Sequence, residues 1–258
     1  MPEPRIYTRN YIDPQSVIST SHGGTTSLLY DRSNSPRLTS SGSNTDLLFS
    51  VFIYFYENGS PISRYIDTTF LLNHNMVDWY LFRWNGSWTE VANYLTTGSS
   101  GVPGSWSTYV SHSRFSTNAM RIDVGGTSPS NVEKMIGEVI FCDTVLSCND
   151  LTAYDTKWRE RSKEIVLGDG SIHRVNVKDA SGRLGKYEAR CRWTHLTKSE
   201  RDNLKSIKDA GQPFLFQPES VTVPEDVYYV HWANAWDEKY MSSYKGSGYE
   251  VVMNVKEV

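Results

Sequence analysis

Most of the chain alternates between apolar and polar positions with the period of a strand, and one segment carries the three-to-four spacing of a helix. LLFSVFIYFY (47–56) is a compact apolar run whose length suits a buried strand. RYIDTTFLL places Ile66, Thr68, Phe70 and Leu72 on one face. DWYLFRW places Trp79, Leu81 and Arg83 opposite Tyr80, Phe82 and Trp84. NGSP (58–61) supplies a turn. Asn85-Gly86 suits a type I′ hairpin turn, which needs positive φ at both central residues, and SWTEVANYL is the returning strand. TTGSSGVPGS (96–105) reads as a loop, and MRIDVGG and IGEVIFCD as two further strands. No amphipathic helix is visible before about residue 146. Residues 1–146 are therefore expected to form a β-sandwich or jelly roll.

The texture changes after residue 147. CNDLTAYDTKWRERSKE is polar and charged, and reads as a crossover or linker. EIVLGDGSIHRVNV predicts a strand pair around Gly168-Asp169-Gly170, and GKYEARCRWTHL a long strand with Tyr187, Ala189, Cys191 and Trp193 on one face. The helix lies at about 198–210. Thr197 and Glu200 form a capping box, Leu204 and Ile207 a short apolar stripe, and Gly211 and Pro213 the stop. PFLFQP, DVYYVHWANAW and GYEVVMNVKEV come next as strands. The expectation for 147–258 is a β-rich domain with one helix packed on a sheet, so the chain is mostly β.

A length of 258 residues accommodates two such cores. No apolar run approaches the roughly 20 residues that span a bilayer, and MPEPRIYTRNYIDPQ lacks the pattern of a signal peptide. The net charge of −3, without a basic block, argues against sequence recognition of nucleic acid. Cys142, Cys148 and Cys191 are odd in number and widely spaced, which fits reduced, buried thiols better than a disulfide framework or a zinc knuckle.

Candidate chemistry is sparse. Asn73-His74-Asn75 could open a His-Asn-His nuclease core, yet the segment after it alternates like a strand and the next histidine is His112. The better reading is a strand-to-strand turn whose side chains bond to backbone groups. No Gly-x-Ser-x-Gly elbow or Walker lysine is present, and no metal-ligand set is expected. Asp31, Asp46, Asp67, Asp78, Glu90 and Asp123 could supply a glycosidase pair, but sequence cannot pair them. Trp84, Trp88, Trp106 and Tyr109 lie near turns or loops, where aromatic rings stack on sugars or anchor protein contacts. Trp232 and Trp236, four apart in HWANAW, would share a side of a strand and are candidates for a subunit interface.

Two stretches resemble known families. YIDPQSVISTSHG, SLLYDRSNSPRLTSSG and IDTTFLLNHNMVDWYLFRWNGSW resemble the discoidin-type, galactose-binding-like jelly roll. EIVLGDGSIHRVNV, GKYEARCRWTHLTKSERDNLKSI, PFLFQPE, DVYYVHWANAW and YKGSGYEVVMNVKEV resemble the distal or minor tail proteins of tailed bacteriophages, of the tail-tip or baseplate-hub type. The resemblance implies a non-enzymatic structural protein of the virion tail, assembled in the host bacterial cytoplasm. It would form a homo-oligomeric ring beside other phage tail proteins (tube, hub or tape measure), with the jelly roll outside and able in some relatives to bind host surface polysaccharide. Some tail-tip relatives hold an iron–sulfur cluster on four cysteines; three cysteines do not match that, and no cofactor is expected. Two alternatives stand beside this reading: a carbohydrate-binding module for host surface glycan, and a cell-envelope glycan hydrolase, which needs two converging carboxyls.

Overall fold

The computed structural model of the protein describes residues 4–21, 26–29, 38–39, 49–95, 106–127, 134–147, 151–160, 162–166, 172–176, 185–221, 226–243 and 246–258. In chain order its principal elements are strands β1 (Arg5–Tyr7), β2 (Val17–Thr20), β3 (Phe49–Tyr54), β4 (Arg64–His74), β5 (Met76–Trp84), β6 (Trp88–Leu95), β7 (Trp106–Thr117), β8 (Ala119–Thr127), β9 (Glu138–Cys142), β10 (Thr144–Ser147), β11 (Leu151–Glu160) and β12 (Gly185–Leu196). Helix α1 (Lys198–Ala210) comes next, then β13 (Phe214–Gln217), β14 (Tyr228–Trp232), β15 (Glu238–Ser243) and β16 (Gly246–Glu257). The chain is mostly β, as its alternation predicts, with α1 the one α-helix among the described residues.

Contacts divide the chain into Asn10–Thr144 and a second unit built from Met1–Arg9 and Val145–Val258. The boundary thus falls at Thr144, just before the expected residue 146, and the first nine residues join the other unit. The reason is pairing: β1 runs antiparallel to β13 with Ile6 opposite Phe216. The Tyr7 hydroxyl also donates to Gln217 Oε1 at 2.6 Å. A three-residue strand carries too little pattern to reveal a partner 210 positions away.

The inserted unit, Asn10–Thr144, is an antiparallel β-sandwich. One sheet has the order β2-β3-β8-β5-β6 and the other β7-β4-β9. Phe49, Val51, Ile53, Trp79, Leu81, Ile122 and Val124 from the first sheet are buried in one core with Leu71, Val139 and Phe141 from the second. β7 adds to the sequence reading: WSTYVSHSRFST is a strand of 12 residues that opens with Trp106 and carries Tyr109. Its Ser, Thr and His content conceals the alternation.

The same dipeptide makes two different hairpins here. Asn58 and Gly59 both have positive φ, 52° and 78°. They form the two-residue loop between Glu57 and Ser60, the geometry of a type I′ turn. At Asn85-Gly86 a hairpin also forms, with Trp84 opposite Trp88. There only Gly86 has positive φ, 98°, so the expected type I′ turn is replaced by a three-residue loop. The Asn85 side chain holds that loop, accepting from Ser87 N at 3.4 Å and Thr89 Oγ1 at 3.2 Å.

The bracketing unit is one antiparallel sheet, β10-β1-β13-β14-β16-β12-β11, with β15 also paired to β16. Tyr187, Ala189, Cys191 and Trp193 are buried on one face of β12, as the alternation predicts. Helix α1 seats Leu204 in this core. Its start is the expected capping box: Thr197 Oγ1 accepts from Glu200 N at 3.2 Å, and Glu200 Oε2 accepts from Thr197 N at 2.8 Å. Its end is Gly211 at φ 61°, whose N–H donates to the Lys208 carbonyl. The polar stretch read as a linker is strand β11, paired along β12 from Leu151 to Glu160. β15 carries no clear apolar pattern and is likewise found only through its pairing with β16. The strands flanking Gly168-Asp169-Gly170 pair as expected, Val166 opposite Ile172, while the turn itself lies outside the described residues.

Candidate functional site

Antiparallel register assembles an aromatic surface on the five-stranded sheet of the inserted unit. Arg121 lies opposite Phe52 on one side and Phe82 on the other. In the next row Asp123 lies between Ser50 and Tyr80. Tyr54 stands opposite Ala119, and Trp84 opposite Trp88. Because side chains alternate, this set points away from the core that holds Val51, Ile53, Trp79, Leu81, Ile122 and Val124. Tyr54, Tyr80 and Trp84 are exposed, at 37%, 37% and 38%, and Phe52, Phe82 and Trp88 half-buried.

Arg121 is the centre of the arrangement. Its guanidinium carbon lies 4.2 Å from the centroid of Phe82 and 5.1 Å from that of Trp88. The rings attract it through their quadrupoles. Arg121 Nη2 also meets Asp123 Oδ2 at 3.0 Å, with only 20% and 8% of the two side chains exposed. Trp88 contacts Phe52 and Trp84 edge-on, at 5.8 and 5.3 Å between centroids. The result is an aromatic plate of edge-to-face rings packed around one charge-paired cation. Arg121 Nε and Asp123 Oδ1 are buried and have no hydrogen-bond partner. Such a plate can stack on an apolar ring face; it holds no nucleophile and base in contact.

His74 is structural, as the turn reading expects. It is fully buried at the corner where the chain passes from β4 in one sheet to β5 in the other. Met76 N–H can only donate, and it donates to His74 Nδ1 at 3.2 Å. The ring proton is therefore on Nε2, which donates to Thr108 Oγ1 at 2.6 Å. Burial lowers the pKa of His74 to about 4, so the ring is neutral at pH 7. Its neighbours complete the corner: Asn73 takes a positive φ of 51°, and Asn75 Oδ1 accepts from Met135 N at 2.7 Å. Gly137 closes over it with no room for a side chain, since a Cβ there would lie 2.8 Å from Asn73 Cβ.

The four aromatics expected to make contacts do not form one site. Trp84 and Trp88 lie on the plate. Tyr109 is on the other sheet, half-buried against Phe70 at 5.2 Å. Trp106 pairs through its backbone with His74, and its side chain lies outside the described residues. Trp232 and Trp236 pack on each other at 5.4 Å, with Lys208 and Lys205 of α1 over their rings at 6.0 and 5.7 Å. β14 ends at Trp232, so a turn, and not a continuing strand, brings Trp236 alongside. Sequence reasoning missed Phe52, Tyr54 and Arg121, and named Asp123 only as a possible hydrolase acid. It did find the Tyr80–Phe82–Trp84 face, and the register that sets Arg121 beside Phe82 is the information it lacked.

The exposed face of the bracketing unit is polar. Arg190 lies opposite Asp155 and Asn254, and Glu188 opposite Lys256. These residues wall a trough of about 410 Å³. Lys256 Nζ approaches Glu188 Oε1 to 4.0 Å, and Arg192 Nη2 meets Glu250 Oε2 at 3.0 Å. Cys142 and Cys191 are buried thiols outside any disulfide, and burial pushes the pKa of Cys142 well up. Cys148 lies outside the described residues. Among the described residues no group of three or more His, Cys, Asp and Glu side chains could hold a metal, and no helix is long and apolar enough to cross a membrane.

No protein-family model matches the chain, and no curated protein matches it. Solved structures similar to part of it include a chitosan-binding module from a chitosanase/glucanase of Paenibacillus sp. IK-5, at 15% identity and TM-score 0.43, covering 53% of this chain and 99% of that one. The family 32 CBM of Clostridium perfringens NanJ, in complex with galactose, matches at 13% identity and TM-score 0.44, covering 54% and 100%. A Ruminococcus gnavus GH29 fucosidase matches at 13% identity and TM-score 0.42, covering 53% of this chain and 27% of that one.

Proposed function

We propose that the protein binds glycan, through the aromatic plate on the outer face of the five-stranded sheet. The observation that carries this reading is the cluster of Phe82, Trp84 and Trp88 around the neutralised guanidinium of Arg121. Exposed rings cost free energy unless something covers them, and a contiguous exposed set marks a binding surface. A flat ring presented to solvent matches the apolar face of a pyranose, while Tyr80 and Tyr54 offer hydroxyls at its border. The chemistry is recognition without turnover. In native gels containing polysaccharide, the protein is expected to be retarded, and Trp88→Ala to lower the affinity roughly ten-fold or more, as loss of a central aromatic anchor does. Unchanged retardation by a folded Trp88→Ala variant counts against the plate.

A second reading comes from the discontinuous bracketing unit: a structural scaffold that displays the inserted sandwich. β1 and the C-terminal strands share one sheet, so the scaffold brackets the module in sequence. Together with the sequence resemblance, this supports a tail-tip component that assembles as a ring through heterologous contacts. Purified protein would then form closed oligomers or enter virions. A strictly monomeric protein absent from particles overturns that reading and leaves glycan binding untouched.

A further inference from the structure

The face bearing the plate has an uneven charge. Asp78, Glu90, Arg121 and Asp123 lie on it, since their strand neighbours Trp79, Val91, Ile122 and Val124 pack toward the core. Arg83 points the other way, with its guanidinium carbon 5.0 Å from the centroid of Phe115. Among the described residues of this face Arg121 is thus the one cation against three acids. Asp123 occupies that cation directly, at 3.0 Å, from a side chain that is more than nine-tenths buried. Asp78 lies flat over Gly125, where a Cβ would come within 2.4 Å of its Oδ2.

We infer that Asp123 is a specificity-determining residue that restricts the plate to glycans without negative charge. This rests on the glycan-binding reading above. A guanidinium among aromatic rings would otherwise be a natural seat for a sugar carboxylate, because Arg presents a fork of donors matched to it. With Asp123 already on that guanidinium, an acidic sugar finds no uncompensated positive charge and meets Glu90, which lies opposite Phe82. At about 7 Å in water a like charge costs roughly a factor of three in affinity, while Asp78, four residues from Phe82 along β5 and so about 13 Å away, adds little. Removing the Asp123 charge uncovers Arg121 and reverses the preference.

The test compares neutral polymers (dextran, mannan, laminarin, galactan) with acidic ones (polygalacturonate, alginate, hyaluronan) in affinity gels. The wild type is expected to bind a neutral polymer at least about three-fold more tightly than any acidic one. In Asp123→Asn the ratio of acidic to neutral affinity rises about ten-fold, and the gain disappears at high salt. The double variant Arg121→Gln/Asp123→Asn shows no such gain. Glu90→Gln, which leaves the Arg121–Asp123 pair in place, shifts the ratio about three-fold the same way and serves if Asp123→Asn does not fold. Equal binding of neutral and acidic polymers by the wild type, or an unmoved ratio in the folded variants, overturns the charge selection and leaves glycan binding standing. Absence of binding to every polymer overturns both.

Discussion

Each unit turns one face of an antiparallel sheet away from its core, and the two faces are built differently. In the bracketing unit the row Asp155–Arg190–Asn254 and the pair Glu188–Lys256 set opposite charges side by side across neighbouring strands. Opposite charges compensate one another across the strands, so the face needs no ligand to be stable. In the inserted unit the equivalent rows are Phe52–Arg121–Phe82 and the facing Trp84 and Trp88. There the single cation is drawn down among rings and the rings take its place at the surface. Folding alone explains the first face. The second keeps large aromatic area in water, a cost that a ligand would offset.

This contrast fails if glycan binding depends on the core of the bracketing unit. Leu204 is fully buried under α1. Leu204→Ala should lower the stability of that unit by about 2–5 kcal/mol, readable as an earlier thermal transition, while the folded variant keeps its affinity for polysaccharide.

Acid separates the two units from the other side, because the corner of the sandwich is pH-sensitive. The pKa of His74 is about 4 in the folded protein against an ordinary value of 6.5. Between these values the unfolded chain binds a proton that the folded one does not, so stability is full above about pH 6.5 and falls as pH drops toward 4. The shift corresponds to about 3 kcal/mol. His74→Asn should remove most of this dependence while costing about 1–3 kcal/mol at pH 7, as the bonds to Met76 and Thr108 are lost. A urea titration at about pH 7.5 and about pH 4.5 on both proteins checks the slope. Glycan binding by the folded variant should be unchanged.

The smallest effect belongs to the helix cap. Thr197→Ala removes the side-chain acceptor for Glu200 N and should cost about 1 kcal/mol of stability, with no change in binding. Chemical denaturation resolves a change of that size.

How much of this the sequence discloses depends on the range of each interaction. The capping box at Thr197 and Glu200 and the stop at Gly211 are local, and the chain states them outright. The division of β5 into a buried Trp79–Leu81 face and an outer Tyr80–Phe82–Trp84 face is equally plain, since alternation is a property of neighbours. β7 and β11 are hidden because Ser, Thr and charged residues blunt their alternation. The membership of β1 and the meeting of Arg121 with Phe82 depend on strand register, which no local pattern encodes. That is why Trp84 and Trp88 are legible as candidates and the guanidinium that holds them is not.

If the plate, and not the charged face, meets the ligand, the tryptophans will report it. Nuclear magnetic resonance can follow the indole N–H groups of the eight tryptophans while a bound neutral oligosaccharide is titrated in. Saturable shifts are expected at Trp84 and Trp88, with Trp193 and Trp232 unmoved. Shifts confined to Trp232 and Trp236, with Trp84 and Trp88 silent, would contradict binding at the plate.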